Sequence, residues 1–128
     1  MKVVMLEPGR EARIQDIPHT LEAMQQAVGG TIQAIYPWKG VSAALVCDDE
    51  GLLKRLPFNR MVAPEVFIFG PCFICGVDTE DFASLPEALA DRFMRRYRFP
   101  EVLFMRRYRF PEVLLRYGGK LCSLPVES

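Results

Sequence analysis

The sequence predicts an α+β domain: a small mixed or antiparallel sheet, one helix between its strands, and a helical C-terminal segment. Three observations carry this. Short apolar or alternating runs, parted by turn residues, fill most of residues 1–77. Within them only TLEAMQQAVGG has helical spacing together with a start and a stop signal. The last third is punctuated instead by Pro-Glu pairs, which suit the first turn of a helix. Strands first and helix last is an α+β order.

Each element follows in turn. Lys2 to Leu6 (KVVML) is a short apolar run typical of a buried strand, and Pro8-Gly9 centres the turn after it. Ala12 to Ile17 alternates apolar and polar residues, completing an opening hairpin. Thr20 is a good N-cap for LEAMQQAV, whose Leu21, Met24 and Val28 recur at spacings of three and four. Gly29-Gly30 ends that helix. TIQAIY (31–36) and VSAALVC (41–47) are strand-like and joined by the PWKG turn, and Asp48-Asp49-Glu50-Gly51 is the next turn. VFIFGPCFICGV (66–77) reads as one central strand, bent or bulged near Gly70-Pro71 because proline cannot donate within a ladder. Ser84 and Glu87 form a capping box around Pro86 and open a helix through about Arg98.

The phrase FMRRYRFPEVL occupies residues 93–103 and again 104–114 without a change. An inserted eleven-residue unit keeps helical phase within about 20°. Pro100 and Pro111 forbid a continuous helix, however, so 85–98, 100–109 and 111–117 are expected as three helical pieces closed by Gly118-Gly119. Two units do not make a repeat fold. The phrase offers arginines for phosphates and Tyr97 and Tyr108 for stacking, which would suit a nucleic-acid arm. Identity at every position favours instead a tandem duplication tolerated near a terminus. The expected organisation is a body at 1–91, a helical basic segment at 92–119 and a tail at 120–128.

At 128 residues the chain makes one modest core, and its composition, half hydrophobic and a quarter charged, is ordinary for a globular domain. No apolar run approaches the ~20 residues of a membrane span. MKVVMLEPGREAR is too short in its apolar part for a signal peptide, so a cytoplasmic location with reduced cysteines is expected. The formal net charge is zero, which argues against a generic nucleic-acid binder. That zero hides an asymmetry. Residues 1–91 hold seven Lys and Arg against thirteen Asp and Glu, a net of −6, and residues 92–128 hold nine against three, a net of +6. An acidic body with a basic tail pairs internally, between subunits, or with an acidic partner.

Chemistry has few candidates. Cys72-Phe-Ile-Cys75 is a single CxxC inside an apolar strand, where positions three apart face opposite ways, so buried structural thiols are expected. Cys47 and Cys122 have no partner at ligand spacing, and His19 is the only histidine, so neither a zinc site nor a hydrolase triad assembles. The acidic turns Asp48-Glu50 and Asp78-Asp81 lack an EF-hand's alternation, and no phosphate-cradling glycine motif occurs. No enzyme and no cofactor are expected. Two features suit binding. Asn59-Arg60 places an amide beside a guanidinium fork that either grips carboxylate or phosphate or serves as a structural pair tying its loop to the acidic turn at Asp48-Glu50. Trp38-Lys39 sets an aromatic beside a cation at a turn, where the indole either stacks on a planar ligand or folds back on the sheet.

EPG near the N-terminus, TLEAMQQAVGG after a short strand, ALVCDDEGLLKRLPFNR, FICGVDTEDFASL and finally YRFPEV, in this order and spacing, resemble the domain of unknown function 3846 family. The resemblance covers about residues 1–103. The family's shared polar positions correspond to Glu7, Asp48, Glu50, Gly51, Asn59 and Arg60, and its ending needs one copy of the duplicated phrase, which marks 104–114 as an insertion. It implies an accessory protein of bacteria, phages or conjugative elements, a setting rich in counter-defence.

Two functions follow as expectations. In the first, a non-enzymatic module binds or sequesters a small anionic or nucleotide-like molecule. Asn59 and Arg60 hold the anion, Trp38 and Lys39 flank it, and Glu7 or Glu50 reads a hydroxyl or amine, at the interface of a symmetric homodimer. In the second, a regulator or inhibitor binds a host protein through its acidic body or basic tail.

Overall fold

The computed structural model describes residues 1–101, 114–117 and 120–123. Its elements in chain order are β1 (Lys2–Leu6), β2 (Arg13–Asp16), α1 (Leu21–Val28), β3 (Ile32–Ile35), β4 (Ala43–Asp48), β5 (Phe58–Ala63), β6 (Val66–Phe69), β7 (Cys72–Asp78), β8 (Asp81–Ala83), α2 (Glu87–Arg96), β9 (Leu114–Tyr117) and β10 (Lys120–Ser123). The fold is α+β. Six strands form one antiparallel sheet in the order β2-β1-β7-β4-β3, with β8 paired to the end of β7.

The apolar runs of β1, β4 and β7 reflect cover on both sides of this sheet. Val3, Met5, Ala44, Val46, Phe73 and Cys75 point to one side and pack with Met24 and Val28 of α1. Val4, Leu6, Leu45, Cys47, Cys72 and Ile74 point to the other and meet Phe93 and Tyr97 at the end of α2, with Val62 and Ile68 of the β5–β6 hairpin. Side chains alternate along each strand, so a strand buried on both faces must be apolar throughout. At the sheet's edge, β2 has one face in water, and its residues are exposed or half-buried.

α1 forms as expected. The Thr20 hydroxyl accepts from the Ala23 amide, and Gly29 closes the helix in the left-handed conformation with its N–H on the Gln25 carbonyl. Four expectations are corrected. The run 66–77 is not one strand: Gly70, at φ 87°, turns the chain so that β6 pairs with β5 in a separate two-stranded sheet and only β7 enters the central one. Ser84 does not cap α2, because its oxygen accepts from the Lys2 amide and ties the start of β1 to the segment after β8. α2 ends at Arg96, two residues before Arg98. Residues 114–117 are a strand, paired antiparallel with β10, where helix was expected over 111–117. The expected helical piece at 100–109 lies, from residue 102 on, outside the described residues.

Candidate functional site

The Asn59-Arg60 pair stands on β5, and the structure buries both residues completely. Arg60 and Val62 turn to the core with Ile68 of β6, Met61 faces out, and a bulge between Phe58 and Arg60 sets Phe58 on the other side, against Phe67 and Phe69. A guanidinium in that position must find acceptors inside the protein. It does. Nε donates to the Tyr97 carbonyl at 2.9 Å. Nη1 donates to the Glu7 carbonyl at 3.1 Å and to the Asn59 Oδ1 at 2.7 Å. Nη2 donates to the carbonyls of Arg10 and Arg98. Every one of the five N–H groups an arginine carries is thus directed at an acceptor of the chain itself. Burial lowers the guanidinium's pKa from its ordinary value. The Tyr97 and Arg98 carbonyls, at the negative end of the α2 dipole, favour the charge in return.

Asn59 completes the knot. Its Nδ2 donates to the Leu6 carbonyl at 2.8 Å and the Gly70 carbonyl at 2.9 Å, and lies 3.7 Å from the Cys72 sulfur. Two adjacent residues therefore join the end of β1, the loop after it, the β6–β7 turn and the end of α2. Of the two readings of this pair, the structure has the structural one with other partners: Arg60 is a clamp, its donors spent on carbonyls and a neighbouring amide rather than on an anion, Asp48 or Glu50.

Trp38 is buried as well, not displayed at the turn tip. Its ring lies 4.5 Å from that of Phe93, and its Nε1 donates at 2.9 Å to the Tyr97 hydroxyl, which donates in turn to the Val62 carbonyl at 2.6 Å. Trp38 and Arg60 do converge, each holding Tyr97, but inside the core. Lys39 stays exposed on the turn. The Glu7 carbonyl joins the Arg60 clamp, and its half-buried carboxylate pairs with Arg13. Glu50 stands apart, because β4 runs from the Trp38 end at Ala43 to the acidic turn at Asp48. In that turn Asp48 is buried, accepts from the Glu50 amide at 2.8 Å and pairs with Lys54 at 2.7 Å, raising the lysine's pKa. The Glu50 side chain is exposed.

The cysteines sit as the strand pattern requires. Cys72 faces α2, directly across from Cys47 on β4, while Cys75 faces α1. Burial raises the Cys72 thiol well above its ordinary range and pushes Cys75 up to about 12. Neither is poised as a nucleophile.

Among the described residues, three shallow clefts bear on the site. One of about 350 Å³ gathers His19, both ends of the acidic turn, Asp78 and Asp81, and Ser84, which was expected from the sequence as a helix cap. There the half-exposed His19 Nε2 lies 3.4 Å from Asp81, and the Ser84 oxygen accepts from the Lys2 amide. A second, of about 480 Å³, runs between Lys2, Ile14 and the start of α2. The third, of about 430 Å³, is lined by Glu11, Ala12, Met94, Arg95 and Arg98. Arg95 and Arg98 are exposed at its rim, with Arg98 on Glu11 at 3.0 Å. This arginine group was visible in the sequence as part of the duplicated phrase. Its placement at a cleft rim was not. Among the described residues no group of three His, Cys, Asp or Glu could hold a metal ion, and no helix is long and apolar enough to cross a membrane.

A family model described as Domain of unknown function (DUF3846) matches residues 1–98. No curated protein and no solved structure matches the chain.

Proposed function

The chain belongs to the family of the domain of unknown function DUF3846, and from that premise we propose that it is a non-enzymatic accessory protein of a phage or mobile element, acting in counter-defence by binding an acidic surface of a host protein. The observation that carries this reading is the exposed arginine group at the end of α2, around the cleft formed with Met94 and Ala12. Arg95 and Arg98 supply planar forks for carboxylates, and Met94 and Ala12 give an apolar floor that a solvated loop would not have. The clamp on the Tyr97 and Arg98 carbonyls fixes the direction in which this group is presented. A basic segment on an otherwise acidic chain selects an acidic partner and repels basic ones.

A small anionic or nucleotide-like molecule is the competing ligand. The two separate in one experiment. Native mass spectrometry of the gently purified protein reports its oligomeric state and any retained small molecule, and fluorescence anisotropy with labelled hexaglutamate reports the acidic-peptide affinity. Expected are a bare protein mass, as monomer or dimer, and salt-sensitive binding of the peptide that Arg95→Glu with Arg98→Glu abolishes. A retained mass of a few hundred daltons that survives those two changes, or hexaglutamate binding unaffected by them, overturns the reading. So does an absence of peptide binding.

A further inference from the structure

We infer that either copy of the duplicated phrase can occupy the place that residues 93–98 now fill, so that the protein has two registers for its last helix. The docking place is described atom by atom. It receives Phe93 against Trp38, Met94 against the edge of the core, and the Tyr97 hydroxyl between Trp38 Nε1 and the Val62 carbonyl. It also receives two backbone carbonyls, those of Tyr97 and Arg98, on Arg60, and the Arg98 carbonyl on the Ala12 amide. Phe104, Met105, Tyr108 and Arg109 are the same residues at the same spacings. The bonds to Arg60 and Ala12 go to carbonyls and are blind to residue number. Nothing in this place distinguishes the copies.

The connections do not distinguish them strongly either. β9 begins at Leu114, the last residue of the second copy, and its backbone runs beside β6. With the first copy seated, seventeen positions separate Tyr97 from Leu114; with the second, six separate Tyr108 from Leu114. The eleven spare residues lie after the helix in one register and before it in the other. Loop-closure cost grows only slowly with length for flexible loops, so the longer connection costs little, while the second register requires residues 109–113 alone to reach β9. Pro100 and Glu101 would replace Leu89 and Ala90 in the first turn, where proline needs no amide partner and an acid suits the dipole. The partly buried Leu89 and Ala90 are what the second register gives up, and this favours the first.

The only tryptophan lies in the docking place and reports on its occupancy. Urea unfolding is followed by Trp38 emission in the full chain carrying Phe93→Ala with Tyr97→Ala, in the chain with all four of Phe93, Tyr97, Phe104 and Tyr108 changed to Ala, and in the first pair on a chain lacking 104–114. Removing either copy yields the same single-copy molecule, which makes this last comparison clean. Expected is native, blue-shifted emission and a cooperative transition for the first pair in the full chain, and loss of both in the other two. Equal loss in all three overturns the inference. A milder cycle guards against simple unfolding. Tyr108→Phe alone should be silent, yet it should deepen the loss caused by Tyr97→Phe; if it adds nothing, the second copy never takes the place.

Discussion

Replacing Arg60 by methionine tests the clamp directly. Methionine fills the volume of the side-chain stem but leaves the acceptors behind. Two of these lie in the interior, the Tyr97 carbonyl and the Asn59 Oδ1, and three at its margin, the carbonyls of Glu7, Arg10 and Arg98. A hydrogen bond to a charged group contributes about 1.5–3 kcal/mol, so the two interior bonds set a gross loss of roughly 3–6 kcal/mol. Removing a guanidinium that had to be stripped of water offsets part of this, as buried charges cost several kcal/mol to desolvate. The net expectation is a loss of about 3 kcal/mol, a large share of the roughly 5–15 kcal/mol that holds a domain of ordinary stability. Urea unfolding monitored through Trp38 is the assay, since that indole shares Tyr97 with the clamp. A thermal midpoint lower by roughly 10 °C should accompany it. Arg60→Lys should recover only part, because one ammonium cannot reach the β1 and α2 carbonyls together. If Arg60→Met unfolds within about 0.5 kcal/mol of the parent, the range of an ordinary surface change, the guanidinium is not a clamp and its role as a ligand group returns.

Gly30→Ala should lower stability by leaving the buried Asp48 carboxylate short of its partner. An added Cβ would stand 2.6 Å from the Lys54 Nζ and 2.7 Å from the Asp48 Oδ2, forcing the ammonium off the buried carboxylate. Lys54→Met should cost about the same, and the double variant no more than either, in urea titrations; additive losses would mean the glycine acts elsewhere. A third expectation concerns pH. The folded protein holds the Cys75 proton more tightly than the unfolded chain, whose thiol titrates near 9.0, because burial pushes the folded value to about 12. The stability this thiol contributes is therefore complete below the unfolded value and is lost as pH rises from one value to the other. The slope is about 1.4 kcal/mol per pH unit for one proton. Comparing urea unfolding at rising pH, Cys75→Ala should flatten the decline by one proton; an unchanged slope would place the titration on other groups.

Legibility in the sequence followed how local each signal is. α1 could be read because its cap, its spacing and its stop lie within eleven residues. The β1–β2 hairpin could be read for the same reason. That Cys72 and Cys75 face opposite sides follows from strand geometry alone, and the structure puts them there. At Gly70-Pro71 local chemistry announced a break but not which sheet each half would join. The pairing of β5 with β6 decides that, through neighbours no pattern displays. Trp38 was ambiguous because its partner Tyr97 lies 59 positions away. Arg60 carried a usable hint that its residue type concealed. Arg60 and Val62 share the inward face of β5 while Met61 looks out. An arginine in the apolar phase of an alternating strand is already placed inside, and the remaining question is which carbonyls will meet it.

That answer also locates where the Arg60 clamp ends along the chain. The carbonyl of Arg98 accepts from Arg60 and from the Ala12 amide, while Phe99 beyond it is exposed. The family match ends at the same residue, 98. The duplicated phrase begins five residues earlier, at Phe93, so its first six residues belong to the clamped unit and the other five to whatever follows. A duplication with that boundary copies both the part of the helix that fills the core and the arginines that stay in water. It adds a spare for the docking place and a second set of arginines in a single step. The two roles separate by side chain, with Phe93 and Tyr97 serving the fold and Arg95 and Arg98 available for a partner. In a chain lacking 104–114, changes at one pair should therefore move stability and leave acidic-peptide affinity alone, and changes at the other should do the reverse.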